Sequence, residues 1–155
     1  MQRRQAEAGP SGAEGKGWSS REKVGKFVLK WMERGQEMAI ENSMRDTVLL
    51  ITREGMGSAE PELQLKLLAT YLRLLAESDL LPNAICFYAD GVKTAVEGSP
   101  MLAELARLEE KGVRLILCST CLNYFGLTGN VRVGIIGGMP DIIEAQVQAV
   151  KVITL

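Results

Sequence analysis

Three short and almost unbroken apolar runs recur along the chain: residues 47–52 (TVLLIT), 84–89 (AICFYA) and 113–118 (VRLILC). A strand that is apolar on both faces must be covered on both faces, which is the condition of a parallel sheet between layers of helices. The segments between the runs have helical spacing. Residues 60–78 place Leu63, Leu67, Leu68, Tyr71, Leu72, Leu74 and Leu75 on one wide stripe. Ser99-Pro100 reads as an N-cap followed by a proline at the first helical position, and Lys111-Gly112 as the stop of the same helix. Residues 92–96 fit a short helical turn. Residues 131–136 (VRVGII) and 150–155 alternate more in polarity, so they are expected as strands near the sheet edges. A helix opened by Pro140-Asp141 runs between them to about Ala149. The expected fold is α/β: a three-layer α/β/α sandwich on a mainly parallel five-stranded sheet, spanning 47–155.

The residues before it differ. Residues 1–18 are rich in Gly, Ser, Ala, Glu and Lys and are expected to be a disordered tail, since they cannot bury enough apolar surface to offset ordering. Residues 19–46 read as an amphipathic helix and linker. Val24, Phe27, Val28, Trp31, Met32, Met38 and Ala39 follow helical spacing, against the weakening effect of Gly25 and Gly35. This helix is expected to pack on its own domain or on a neighbouring subunit; a partner or a membrane surface is the alternative. Met44 stands just ahead of the first strand, where translation could also begin.

Composition removes several classes of chemistry. The chain has 155 residues, a net charge of −1 and no histidine. Without histidine there is no Ser-His or Cys-His nucleophilic pair and no His-containing metal site. The balanced charge gives no field for nucleic acid. No apolar run reaches the ~20 residues of a membrane span. The polar N-terminus, Met1-Gln2-Arg3-Arg4, lacks the apolar core of a secretory signal. The three cysteines, Cys86, Cys118 and Cys121, are an odd number, which argues for free thiols in a reducing cytoplasm.

Ligands in an open parallel sheet bind beyond the carboxyl ends of the strands. Those ends fall at residues 53–58, 90–93, 118–123 and 137–139. They include the chain's one CxxC motif, Cys118-Ser119-Thr120-Cys121. Backbone amides and any helix dipole there are expected to lower a thiol pKa and so favour the thiolate needed for sulfur or disulfide exchange. Ser119, Thr120, Asn123, Asp90 and Lys93 are candidate supporting residues, and Arg53 or Lys93 a candidate cation. Gly55, Gly57 and Ser58 form a turn that either cradles an anion or simply connects strand to helix; it matches neither phosphate-loop pattern. Tyr124 and Phe125 either wall the sulfur pocket or pack on the sheet. Cys86, mid-strand, is expected in the core. With two adjacent sulfurs and no histidine, no metal set is expected within one chain, and a zinc ion shared between two subunits is the exception. No other cofactor is implied.

The segment FYADGVKTAVEGSPMLAEL, the Lys-Gly-Val that leads into CSTCLNYFGL, and the following VGIIGGM together resemble the DsrE-like family. The nearest likeness is to the DsrE-like C-terminal domain of YedF, described as a sulfurtransferase-like protein of selenium metabolism. The resemblance covers 47–155. It implies a small α/β protein of a family that forms homo- or hetero-oligomers, a homo-oligomer being expected here, and that carries sulfur as a cysteine persulfide, with Cys118 at the sulfur-carrying position and Cys121 as the second cysteine of the motif. Ser119 stands where YedF proteins have glycine. The N-terminal TusA-like domain of YedF has no counterpart in residues 1–46, so a partner sulfur would come from another chain, such as a TusA-like protein.

The leading expectation is a sulfur or selenium carrier. Cys118 accepts a sulfane sulfur from a donor persulfide. Cys121 then stabilises it, or attacks it to release sulfide and leave a disulfide. The alternatives are a thiol-disulfide oxidoreductase using the same pair and a non-enzymatic oligomeric binding module.

Overall fold

A computed structural model describes residues 44–78 and 80–155. The expected tail at 1–18 and nearly all of the expected helix and linker at 19–46 lie outside these residues.

The described chain alternates strand and helix. Strand β1 (Thr47–Ile51) leads into helix α1 (Pro61–Glu77), then β2 (Ala84–Phe87). A 3₁₀ helix (Ala89–Ala95) and α2 (Leu102–Glu110) precede β3 (Arg114–Cys118). Helix α3 (Ser119–Phe125), a single 3₁₀ turn (Thr128–Asn130), β4 (Ile135–Gly137), α4 (Met139–Gln148) and β5 (Lys151–Thr154) complete the order. All the strand pairs are parallel, in the order β4-β3-β2-β1-β5. The two strands with the most alternating sequences are the two edges, as the pattern requires.

Burial explains the arrangement. Every residue of β1 and β2, and all of β3 after Arg114, is buried. Leu68, Leu72, Leu75 and Ala76 of α1 and Leu105 and Leu108 of α2 close over these strands, and the two helices pack on each other. Crossovers between parallel strands are almost always right-handed. The steps β1→β2→β3→β4 all run in one direction and so place their helices on one face. The return β4→β5 reverses direction and places α4 on the other, where it packs on β3 and β4 through Ile142 and Ala145. The α1 stripe is narrower than its sequence suggests: Leu63, Leu67 and Leu74 remain exposed.

Three boundaries differ from expectation. The second strand stops at Phe87, because Ala89 takes a positive φ of 50° and starts the 3₁₀ helix. The fourth strand is only Ile135–Gly137. Gly134, at φ 81°, turns the chain where a side chain would meet Leu115 and Leu117, and Val131 instead makes an isolated antiparallel bridge to Val96. Ser99 caps a turn that holds Pro100, its hydroxyl accepting from the Met101 amide at 3.2 Å, and α2 proper begins at Leu102.

Candidate functional site: a thiol pair at the carboxyl end of β3

The direction of the crossovers locates a crevice. The connection after β3 lies on one face of the sheet and that after β4 on the other, so the chain parts between the carboxyl ends of these two strands, the position where open α/β sheets take ligands. Cys118 is the last residue of β3 and pairs in register with Gly137 of β4. A side chain on Gly137 would press on Ile116 and Asp141, so the β4 side stays bare. Gly138 then opens α4, its amide donating to Asp141 Oδ2 at 2.6 Å.

Cys118 is itself the residue before α3, with no loop between strand and helix. Cys121 is three residues further on, so the two side chains fall on the same side of the first turn. The two groups are close enough that Cys118 helps to hold the Cys121 thiol protonated. Both are free thiols. Their surroundings differ. Cys118 is 0% exposed, whereas Cys121 is partly open to solvent.

The sulfur of Cys121 accepts a hydrogen bond from the backbone amide of Ala89 at 3.1 Å. That amide is firmly placed. The Tyr88 amide donates to the Ile51 carbonyl at 3.2 Å, the Gly91 amide to the Tyr88 carbonyl at 3.1 Å, and the buried Thr94 hydroxyl to the Gly91 carbonyl at 2.7 Å. Gly91 lies so close to the Ile51 carbonyl that a Cβ there would overlap it. The 3₁₀ helix is thereby pressed onto the end of β1 with Ala89 in the left-handed region, a conformation that non-glycine residues rarely hold outside constrained sites.

The expected lowering of the thiol pKa does not hold for Cys121. Burial pushes it up. The Ala89 amide pulls it back, and the neighbouring Cys118 and the charge of Asp90 push it up again. Nor is Lys93 free to favour a thiolate. Its ammonium binds Asp90 Oδ1 at 2.7 Å and Glu54 Oε1 at 2.9 Å, which raise its own pKa, and it stands 4.5 Å above the Phe125 ring. Phe125 meets Tyr124 edge to face with centroids 5.2 Å apart, and Tyr124 is 84% exposed.

The fold therefore brings Cys118, Cys121, Asp90 and Lys93 together. Ser119 is half-buried and Thr120 exposed on the same helical turn. Asn123 faces away into the helix end, its Oδ1 accepting from the Thr128 hydroxyl at 2.8 Å. Gly55, Gly57 and Ser58 form a tight connection. Arg53 donates to the Gly57 carbonyl at 3.2 Å and the Ser58 hydroxyl at 3.1 Å, and Gly55 is buried against Gln64. Two participants carry no mark in the sequence, the Ala89 amide and Glu54; a third, Gly91, follows Asp90 in a pair whose local signal is only for a turn.

Among the described residues, no group of three or more cysteine and carboxylate side chains converges on a metal position, and no helix is long and apolar enough to cross a membrane. Buried Cys86 lies in the core of β2, its thiol pushed up to about 11 by desolvation.

Comparison with known proteins agrees with this architecture. The fold is similar to that of the YchN protein from E. coli, at 18% identity and a TM-score of 0.55, covering 70% of this chain and 98% of that one. It is similar also to MTH1491, a protein of unknown function from Methanobacterium thermoautotrophicum, at 22% identity and a TM-score of 0.53, covering 70% and 97%. At such identities the likeness is one of fold. No curated protein matches the chain. The model of the DsrE/DsrF-like family matches residues 47–155, the whole sheet with its helices, and the chain belongs to that family.

Proposed function

We propose that the chain is a sulfane-sulfur carrier. It takes sulfur from the persulfide of a donor protein, stores it as a persulfide on Cys118, and gives it to the thiol of an acceptor protein, a TusA-like protein being one candidate. The observation that carries this reading is the side-by-side placement of Cys118 and Cys121 at the crevice between β3 and β4. Sulfane-sulfur exchange needs a thiol and a second group to stabilise or release the sulfur. It needs no histidine, and the chain has none. The likeness of the Cys-Ser-Thr-Cys-Leu segment to YedF proteins supports the same reading and extends it to selenium. The reducing cytoplasm, where an odd set of thiols stays reduced, suits the chemistry. The carrier is read as a homo-oligomer.

The test is intact-protein mass spectrometry after incubation with a cysteine desulfurase and cysteine. Added mass of whole sulfur atoms, mapped by peptide analysis to Cys118, is the expected result. A chain that gains no sulfur overturns the reading. The placement of both thiols on the first turn of one helix favours one other reading, a thiol-disulfide oxidoreductase. That reading predicts loss of two hydrogens with no added sulfur, and a reversible Cys118–Cys121 couple near cytosolic poise.

A further inference from the structure

We infer that sulfur enters this pair through Cys121 and is handed inward to Cys118, an order that rests on the carrier reading above. The two thiols share one helical turn but not one environment. Cys118 is 0% exposed, at the end of a strand whose preceding residues Leu115, Ile116 and Leu117 are all in the core. A nucleophilic sulfur must approach the sulfane sulfur in line with the bond that breaks, so the first acceptor needs an open path. Cys118 has none while the fold is closed. Cys121 is partly open, between exposed Thr120 and half-buried Phe125.

The surroundings of Cys121 suit a sulfur that is loaded and then unloaded. The Ala89 amide holds it from the protein side at 3.1 Å, and the packing of Gly91 on Ile51 keeps that amide in place. A fixed N–H donor stabilises negative charge on the sulfur it faces. That charge returns to Cys121 each time it gives sulfur up.

The steps balance without an oxidant or reductant. The Cys121 thiolate attacks the outer sulfur of the donor persulfide. A bond forms from Cys121 to that sulfur, the donor S–S bond breaks, and its electron pair leaves with the donor thiolate. Cys118 then attacks the same outer sulfur. The new bond joins it to Cys118, the bond to Cys121 breaks, and its electron pair stays on the Cys121 sulfur. The proton lost by the Cys118 thiol passes to Cys121. Transfer to an acceptor thiol runs the same exchange outward.

The test uses the full reduced chain with glutathione persulfide as donor, rapid quenching with iodoacetamide, and peptide mapping over time. In wild type the sulfur is expected on Cys121 first and on Cys118 later. Cys118→Ser should hold the sulfur on Cys121, with none passed inward. Cys121→Ser should load Cys118 at least about tenfold more slowly. Cys121→Ser that loads Cys118 at the wild-type rate overturns the order while leaving the carrier reading intact. Wild type that gains no sulfur overturns both. A second measurement does not depend on a variant folding. A short pulse of N-ethylmaleimide on native wild type should tag Cys121 about tenfold ahead of Cys118, and equal rates overturn the order.

Discussion

The backbone amide of Ala89 donates to the sulfur of Cys121 at 3.1 Å, joining the 3₁₀ helix after β2 to the first turn of α3 across a sequence separation of 32. The same hydrogen bond fixes the position of a thiol and sets part of its acidity, so changes on either side of it have readable consequences.

Gly91→Ala is expected to disturb both the fold and the thiol. The added Cβ overlaps the Ile51 carbonyl, which is backbone and cannot swing aside. Forcing a methyl group into a packed site costs about 1–3 kcal/mol, occasionally more. Gly98→Ala is the control. It has open space around it, and only its φ of 87° opposes a side chain, for about 1–2 kcal/mol. Urea unfolding gives both losses. Only Gly91→Ala should also change the alkylation rate of Cys121, since only that residue sets the Ala89 amide.

Asp90→Asn should make Cys121 more reactive. The Asp90 charge holds the thiol protonated, so its removal lowers the Cys121 pKa and enlarges the thiolate fraction below that pKa. For a surface charge the effect is about twofold to threefold. Lys93→Gln should act in the opposite direction, because it leaves the Asp90 carboxylate without its cation. Iodoacetamide rates on Cys121, measured against pH, give the midpoint of each variant; a midpoint that rises in Asp90→Asn contradicts the assignment.

Asn123→Ala should be nearly silent in sulfur chemistry. Its side chain serves the Thr128 hydroxyl at an exposed helix end, a contact worth at most about 1 kcal/mol. Thermal unfolding should show that small loss, with the alkylation rate of Cys121 unchanged.

Cys86 gives the fold a pH dependence of its own. Its buried thiol is pushed up to about 11, while an unfolded thiol ionises near 8.5. The folded state therefore keeps a proton that the unfolded chain releases. The associated stability is fully present below about pH 8.5 and is lost as pH rises toward 11, to an extent on the order of 3 kcal/mol. Cys86→Ala should flatten the urea-midpoint curve over that window relative to wild type. Its lower stability at neutral pH reflects the lost sulfur volume and is a separate quantity.

Much of the fold was readable because the sheet is written in local patterns. Residues 47–52, 84–89 and 113–118 are apolar on both faces and became the inner strands, while the alternating fourth and fifth strands became the edges. Gly112, at φ 90°, ends α2 where Lys111-Gly112 marked a stop. The failures are non-local. Val131 and Val133 look like strand residues, but Gly134 bends the chain and leaves Val131 to bridge Val96. At the site, CxxC marked the sulfurs and their place at a strand end. It could not mark a backbone amide supplied by Ala89, nor the two carboxylates that occupy the Lys93 ammonium. Those partners come from the ends of other strands, and no spacing within the motif records them.

The pairing of β1 with β5 bears on how the molecule is made. Val48 lies beside Val152 and Leu50 beside Thr154, and the Leu155 amide donates to the Leu50 carbonyl at 2.9 Å. The first of the described strands to leave the ribosome thus waits about a hundred residues for one of its two neighbours, and loop closure over such a span is slow. Until β5 arrives, one edge of an almost wholly apolar strand presents unpaired amides and carbonyls, a template for pairing with another nascent chain. Completion of the sheet is then governed by the synthesis and docking of β5, and a chain cut short before Lys151 would keep its thiol pair yet be prone to aggregate through β1.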